Sequence, residues 1–422
     1  MHRTNERLPL AATDVSEMMG DMGSGAKKSP RTGSRMSPSS WAAVGLGAGI
    51  IGTGVITGLA SLFARAVVTP SRNNADEVKI LGVGRDHIGE YVDLQTRDPQ
   101  ATAPGRYSLW FNNQSGHAKI GDIISTPSGT HVRRRIIRVD RGDLARATHG
   151  NIGGNYFIDP TDAGVLATDV HVPLTAGPAP AWLVEGDQHA DTWAILIHGR
   201  GATRLETLRG LKPLSELGLT VLSMSYRNDG EGPEVNNGRY GLGATEWHDV
   251  DAAIGYALSQ GARDVVLVGW SMGGAIALRT LELSRFRHRI RALALTGPAV
   301  DWFEILRYQA KINNIPYLSG RIGGWMLGQP IGKKLTGLTA PIDLNALNWV
   351  ERAGNIKIPV LIQHSRDDGF VPFVSSERLA KKNPRYVTLV PFTRAGHVRE
   401  WNVDPQKWET TLKDWLQKTL RI

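Results

Sequence analysis

From Trp193 to Leu420, short apolar runs of strand length alternate with amphipathic stretches of helical length. Trp193 to Ile197, Leu219 to Ser223, Asp264 to Val268, Ile290 to Leu295, Val360 to Gln363 and Tyr386 to Val390 read as strands. Leu205 to Leu217, Thr245 to Gln260, Ser271 to Ser284, Ser375 to Lys381 and Trp408 to Leu420 read as helices. Strands that lie side by side in parallel need a crossover of this length, so the alternation predicts a doubly wound, mostly parallel sheet with helices on both faces. This domain is expected over 166–422, with an irregular stretch, 301–355, inserted as a cap.

Within that pattern, Gly269-Trp270-Ser271-Met272-Gly273 follows the apolar strand Val265 to Val268 and precedes the helical run AIALRTLELS. A G-x-S-x-G sequence between a strand and a helix is a nucleophile elbow. Its tight turn leaves no room for flanking side chains, hence the two glycines. It also sets the Ser271 hydroxyl at a helix N-terminus, where developing negative charge is stabilised.

A serine needs a base. Of 12 histidines, only His288, His364 and His397 follow Ser271. In the fold that carries this elbow the chain order is serine, acid, histidine. His288 comes too early and His364 ends a strand before the expected acid. His397, in Arg394-Ala-Gly-His-Val between the last strand and the last helix, is the expected base. The acid is sought in HSRDDGFVP, where Asp367 and Asp368 are adjacent. Two main-chain N–H groups are expected to receive the oxyanion: Met272 after the nucleophile, and Arg200 in the His198-Gly199-Arg200-Gly201 loop after the first strand. His198 is expected to be structural. Trp270, Trp302 and Trp325 are candidate substrate-contacting residues; the cap aromatics either line an acyl pocket or pack the cap onto the sheet.

SYRNDGEGP (Ser225 to Pro233), LGATEWHDVDAAI (Leu242 to Ile254), GWSMGG, HSRDDGFVP and AGHVREWN (Ala395 to Asn402) together resemble a group of bacterial α/β-hydrolases, described as alpha/beta fold hydrolases or prolyl-oligopeptidase-like peptidases. The resemblance runs over roughly 75–422. It implies a hydrolase without a metal or other cofactor. Its D-x-x-V-P spacing falls on Asp368, Val371 and Pro372, which makes Asp368 the acid and leaves Asp367 to cap a turn. The resemblance stops short of a propeller domain, for which the stretch before the hydrolase domain is too short.

The N-terminal part is different in kind. Residues 1–40 are rich in Ser, Gly, Met and charge and read as a disordered basic tail. Trp41 to Phe63 contains no charged residue and many glycines. As a helix it is roughly 35 Å long, enough to cross a bilayer, and 41–68 is expected to be a single-pass signal anchor. Lys27, Lys28, Arg31 and Arg35 before it, against Arg65, Arg72 and Lys79 after it, place the N-terminus in the cytoplasm and the hydrolase domain outside. Residues 76–165 read as a small β-rich accessory region, with strands at Tyr107 to Phe111, Lys119 to Ser125 and Thr130 to Val139. Its run Arg133-Arg134-Arg135 is expected on a solvated strand edge.

The net charge of +9 is modest for 422 residues, and no basic block interleaved with aromatics points to nucleic acid. With Cys 0, disulfides, thiolate metal sites and a cysteine nucleophile are excluded. Glu246, His248 and Asp249 are close in sequence, but helical spacing turns them to different sides and no metal site is expected. The expected function is a membrane-anchored serine hydrolase that cleaves an ester through an acyl-enzyme, with a small-molecule ester or a peptide as substrate. Peptidase and acyltransferase chemistry need the same residues. A non-catalytic, membrane-anchored binding protein is the reading from a different class, and the complete set of Ser271, Asp368, His397 and oxyanion donors argues against it.

Overall fold

The first described element, helix α1 over residues 56–68, does not stand free of the protein. The computed structural model describes residues 56–70, 76–96 and 99–422; the expected basic tail and residues 41–55 of the expected anchor lie outside the described residues. Ala60, Phe63, Ala64 and Val68 of α1 are buried, the last three in the same apolar core as the central sheet. The C-terminal end of the expected membrane segment, from Ala60 to Val68, is thus docked on protein along one side. No helix among the described residues is long and apolar enough to cross a membrane.

Six strands follow: β1 (Val78–Arg85), β2 (Glu90–Gln95), β3 (Tyr107–Phe111), β4 (Gly116–Ser128), β5 (His131–Arg141) and β6 (His149–Gly153). They close into an antiparallel barrel in the order β1-β2-β5-β4-β3-β6. Closure removes the free edges that a small sheet would otherwise expose, and Val92, Leu94, Tyr107, Leu109, Phe111 and Ile120 fill the interior. Along β5 successive side chains point to opposite faces. Arg133 and Arg135 turn outward and pair with Asp93 at 2.7 Å and Asp86 at 2.9 Å. Arg134 turns inward, is fully buried, and donates to the carbonyls of Gly121, Ala101, Ala103 and Gly105. The expectation of a solvated edge fails for this residue because a strand turns successive side chains of the run to opposite faces. Burial lowers the Arg134 pKa to about 10.

The hydrolase domain begins with a hairpin, β7 (Thr168–Leu174) and β8 (Gly177–Val184), that was not foreseen. Next come β9 (His189–Ile197), α2 (Leu208–Ser215), β10 (Leu219–Met224), α3 (Trp247–Ser259), β11 (Asp264–Trp270), α4 (Met272–Leu283) and β12 (Ile290–Thr296). The cap contains α5 (Trp302–Ile312), α6 (Tyr317–Leu327) and α7 (Lys333–Thr336). The chain then closes with β13 (Val360–Ser365), α8 (Phe373–Lys382), β14 (Val387–Phe392), α9 (Glu400–Val403) and α10 (Pro405–Leu420). The sheet has the order β14-β13-β12-β11-β9-β10-β8-β7, in which β8 runs antiparallel to both β7 and β10 and every other neighbouring pair is parallel. Alternation sorts the strands' side chains into two layers. Trp193, Ile195, Ile197, Val265 and Leu267 pack with α3, α4 and α8. Ala194, Leu196, Val266, Val268 and Trp270 pack with α2 and α10.

The barrel sits against the hydrolase domain at α9. The Arg106 N–H donates to Asn402 O at 2.8 Å, and Asn402 Nδ2 donates to Arg106 O at 2.7 Å and Gly154 O at 3.0 Å.

Candidate active site

β11 ends at Trp270, and the chain turns into α4 through Ser271, whose φ of 52° and ψ of −116° lie where L-residues are strained. Such a conformation costs about 1–3 kcal/mol and persists only where its surroundings fix it. Ser271 N–H donates to Thr296 O at 3.0 Å. A Cβ on Gly273 would stand 2.0 Å from the Ile197 carbonyl oxygen, so only glycine lets α4 start this close to β9.

His397 lies in the loop between β14 and α9. Its Nε2 is 2.8 Å from Ser271 Oγ, and its Nδ1 is 2.7 Å from Asp368 Oδ2. Asp368 Oδ1 accepts from the N–H groups of Phe370 and Val371, both at 2.8 Å. Burial opposes ionisation of Asp368, but the adjoining His397 and His364 outweigh it and hold the carboxyl far below the usual range. Burial likewise opposes an imidazolium at His397, and the Asp368 carboxylate outweighs it, so its pKa is raised. The neighbouring Asp367 does a separate job: its Oδ2 accepts from Arg394 N–H at 2.6 Å and ties the His397 loop to the acid loop.

The loop after β9 passes directly beside the serine, for a Cβ on Gly199 would stand 3.1 Å from Ser271 Cβ. Tyr226 Oη shares its one proton between the carbonyls of His198 at 3.0 Å and Gly199 at 3.2 Å, and Glu206 Oε2 accepts from Gly199 N–H at 2.7 Å. His198 is buried and paired with Asp229 at 2.9 Å, which is the structural place foreseen for it. Met272 supplies one of the first N–H groups of α4, which have no intrahelical acceptor. The Arg200 side chain turns away and donates to Val67 O at 2.7 Å and Thr69 O at 2.9 Å, and also to Ala66 O, capping the end of α1.

The three tryptophans fare differently. Trp270 is fully buried and stacks on Trp408 in the layer of α2 and α10, so it is a core residue and not a substrate contact. Trp302 is also core: its Nε1 donates to Leu242 O at 3.0 Å. Trp325 is 55% exposed on the outer side of α6. Glu246 accepts from the N–H groups of Gly241 and Gly243, and Asp249 pairs with Arg227.

Sequence reading missed the groups that hold the His397 loop. Arg209 of α2 is buried and donates to Val398 O at 2.7 Å and Asn402 Oδ1 at 3.2 Å. Val398 itself has a φ of 49°, unusual for a β-branched residue. Glu400 Oε1 accepts from Ser365 N–H at 2.9 Å, and burial pushes its pKa up to about 6. The Phe370 ring lies 5.1 Å from that of His397.

A family model described as "Alpha/beta hydrolase family" matches residues 194–409, slightly more than half of the chain. The chain belongs to the alpha/beta hydrolase family. A second model, "Domain of unknown function (DUF8805)", matches residues 79–153 of this hydrolase, which form the barrel. Similar solved structures include the Pyrococcus furiosus esterase Pf2001, at 20% identity over 62% of this chain and 94% of that one with a TM-score of 0.47. Est1E from Butyrivibrio proteoclasticus shares 17% identity over 60% of this chain and 99% of that one, TM-score 0.42. The esterase RhEst1 from Rhodococcus sp. ECU1013 shares 18% over 60% and 99%, TM-score 0.42. No curated protein sequence matches this hydrolase.

Proposed function

We propose that this alpha/beta hydrolase is a membrane-anchored serine esterase with Ser271 as nucleophile, His397 as general base and Asp368 as the acid that orients it. The observation that carries the reading is the unbroken hydrogen-bonded series from Ser271 Oγ through His397 to Asp368, at 2.8 and 2.7 Å. His397 Nε2 takes the hydroxyl proton as Ser271 Oγ attacks the ester carbonyl. The Met272 and Arg200 N–H groups receive the oxyanion. His397 then gives the proton to the leaving alcohol, and water, activated by the same imidazole, releases the acid.

The anchor in this reading is the uncharged run from Trp41, with the hydrolase domain on the extracytoplasmic side; the cations at Lys27, Lys28, Arg31 and Arg35 support that orientation. The test is labelling with a fluorophosphonate probe in membrane and soluble fractions, wild type against Ser271→Ala, followed by nitrophenyl esters against peptide anilides. Labelling of the wild type alone, in membranes, with ester turnover, is the expected result. Anilide turnover above ester turnover would favour a peptidase on the same residues. Absence of labelling in folded wild type would overturn the reading.

A further inference from the structure

Helix α6 is apolar on both sides. Its inner side, Ser319, Gly320, Gly323, Met326 and Leu327, is buried. Its outer side, Leu318, Arg321, Ile322 and Trp325, recurs at i, i+3, i+4 and i+7, and Leu318 and Trp325 are 51% and 55% exposed. A surface helix ordinarily shows water a polar face. Tyr317 at 70% and Ile331 at 73% extend the same exposed apolar surface, and such a patch marks a place of contact.

Charge narrows the partner. From Ile305 to Ile342 the cap contains Lys311, Arg321, Lys333 and Lys334, besides Arg307, which pairs with Glu304 at 2.6 Å, and no acidic residue. Aromatic and aliphatic side chains among this excess of cations match the interfacial layer of an anionic bilayer.

Position narrows it further. α6 is where α1 docks: a Cβ on Gly323 would stand 2.9 Å from Ala60 O and 3.1 Å from Phe63 Cδ1, and Ser61 Oγ donates to Met326 Sδ at 3.7 Å. Ala60 is the first fully buried residue among those described, and the uncharged run before it, Trp41 to Leu59, is the stretch that the anchor reading assigns to the bilayer. As a helix that stretch is roughly 28 Å long, close to the thickness of a bilayer's hydrocarbon core. On the anchor reading, a chain that leaves the bilayer near Leu59 meets α6 within a few residues, at Ala60, Ser61 and Phe63.

We propose that the outer face of α6, with Leu318, Arg321 and Trp325 at its centre, rests in the interfacial layer of an anionic phospholipid membrane. The proposal rests on the anchoring part of the proposed function. It also bears on the active site, because the cap is linked to it: Gln309 Nε2 of α5 donates to the carbonyl of Phe370, the residue beside His397. A hydrolase held this way presents its cap to the lipid surface.

The absence of cysteine permits a clean test on the full chain. Trp325→Cys and, as a distant exposed control, Leu166→Cys are labelled with an environment-sensitive nitrobenzoxadiazole dye. Each is reconstituted in vesicles of phosphatidylcholine alone or of equal parts phosphatidylcholine and phosphatidylglycerol. The dye at 325 should shift to the blue in the mixed vesicles and not in phosphatidylcholine, and the dye at 166 in neither. Arg321→Glu combined with Lys333→Glu and Lys334→Glu should abolish the shift. An unshifted dye at 325 in chains that float with mixed vesicles and still label at Ser271 overturns the cap contact and leaves the anchored hydrolase standing. An equal shift in both vesicle types overturns the anionic requirement. Chains that do not float with either vesicle overturn the anchor and the cap contact together.

Discussion

His364 and His397 converge on a single carboxylate oxygen: Asp368 Oδ2 lies 3.1 Å from His364 Nε2 and 2.7 Å from His397 Nδ1. His364 is fully buried, with its Nδ1 2.8 Å from Ser376 Oγ. The second histidine gives the carboxylate a further fixed partner besides His397. Replacing His364 by Gln should lower kcat about 10-fold with little change in KM, the scale expected for a partner that orients a catalytic group. Steady-state kinetics on an ester substrate check this; an equal loss through KM would indicate a disturbed cap instead.

The pH profile follows from the charges around His397. In the proposed mechanism Ser271 is activated only while His397 is neutral, and the His397 pKa is raised because the Asp368 carboxylate outweighs burial. The acid limb of kcat/KM should therefore have its midpoint above the ordinary imidazole value of about 6.5. Glu400 also favours the imidazolium. Glu400→Gln removes that charge, lowers the His397 pKa and moves the acid limb to lower pH. Asp368→Asn removes the larger charge together with the orienting acceptor, and should cut kcat about 10³- to 10⁴-fold. A pH–rate series on the three proteins reads all three effects.

Arg209 offers a test of the loop that carries His397. Its guanidinium is buried and is the donor to Val398 O, the carbonyl next to the strained φ of Val398. Arg209→Met keeps much of the volume and removes the donor. A buried carbonyl left without a partner costs about 1–3 kcal/mol, so the melting temperature should fall. The strained turn would relax, and kcat should fall with it. Thermal melts paired with ester kinetics check the joint loss; a stable variant of full activity would show that Val398 holds its conformation unaided.

How much of this was legible in the sequence depends on how local each feature is. The elbow could be read because Gly269 to Gly273 sits between a strand and a helix that are contiguous with it. Chain order singles out His397 among the histidines after Ser271, but it leaves Asp367 and Asp368 equal, and only the D-x-x-V-P spacing of the resemblance points to Asp368, the one that hydrogen-bonds His397. The barrel could not be closed from its sequence, since β1 pairs with β6 across the whole region and such pairings leave no local signal. Residue type does not tell a pocket wall from a core: Trp270 and Trp302 belong to the core, and the two-residue period of β11 sends Trp270 to the α10 side. Arg200 was foreseen for its N–H alone; its grip on the end of α1 joins groups more than a hundred positions apart.

The barrel contains a second hydrogen-bonded serine, histidine and aspartate, and it separates geometry from chemistry. His117 Nε2 is 2.8 Å from Ser108 Oγ, and His117 Nδ1 is 2.7 Å from Asp140 Oδ2. Distances alone would make this a match for Ser271, His397 and Asp368. However, Ser108 Oγ donates to Asn155 O at 2.6 Å. A hydroxyl has one proton, so His117 Nε2 must be the donor to Ser108 and cannot accept from it. Both residues are fully buried, on the paired strands β3 and β4, and the serine has no strained elbow or helix N-terminus behind it. Ser108→Ala should therefore leave fluorophosphonate labelling at the wild-type level, whereas Ser271→Ala abolishes it. The Ser108→Ala protein still loses a buried hydrogen-bonding partner for His117 and for the Asn155 carbonyl, about 1–3 kcal/mol, and its melting temperature should drop by several degrees. Loss of labelling in a Ser108→Ala protein that melts like wild type would overturn the assignment of the reactive serine to the elbow.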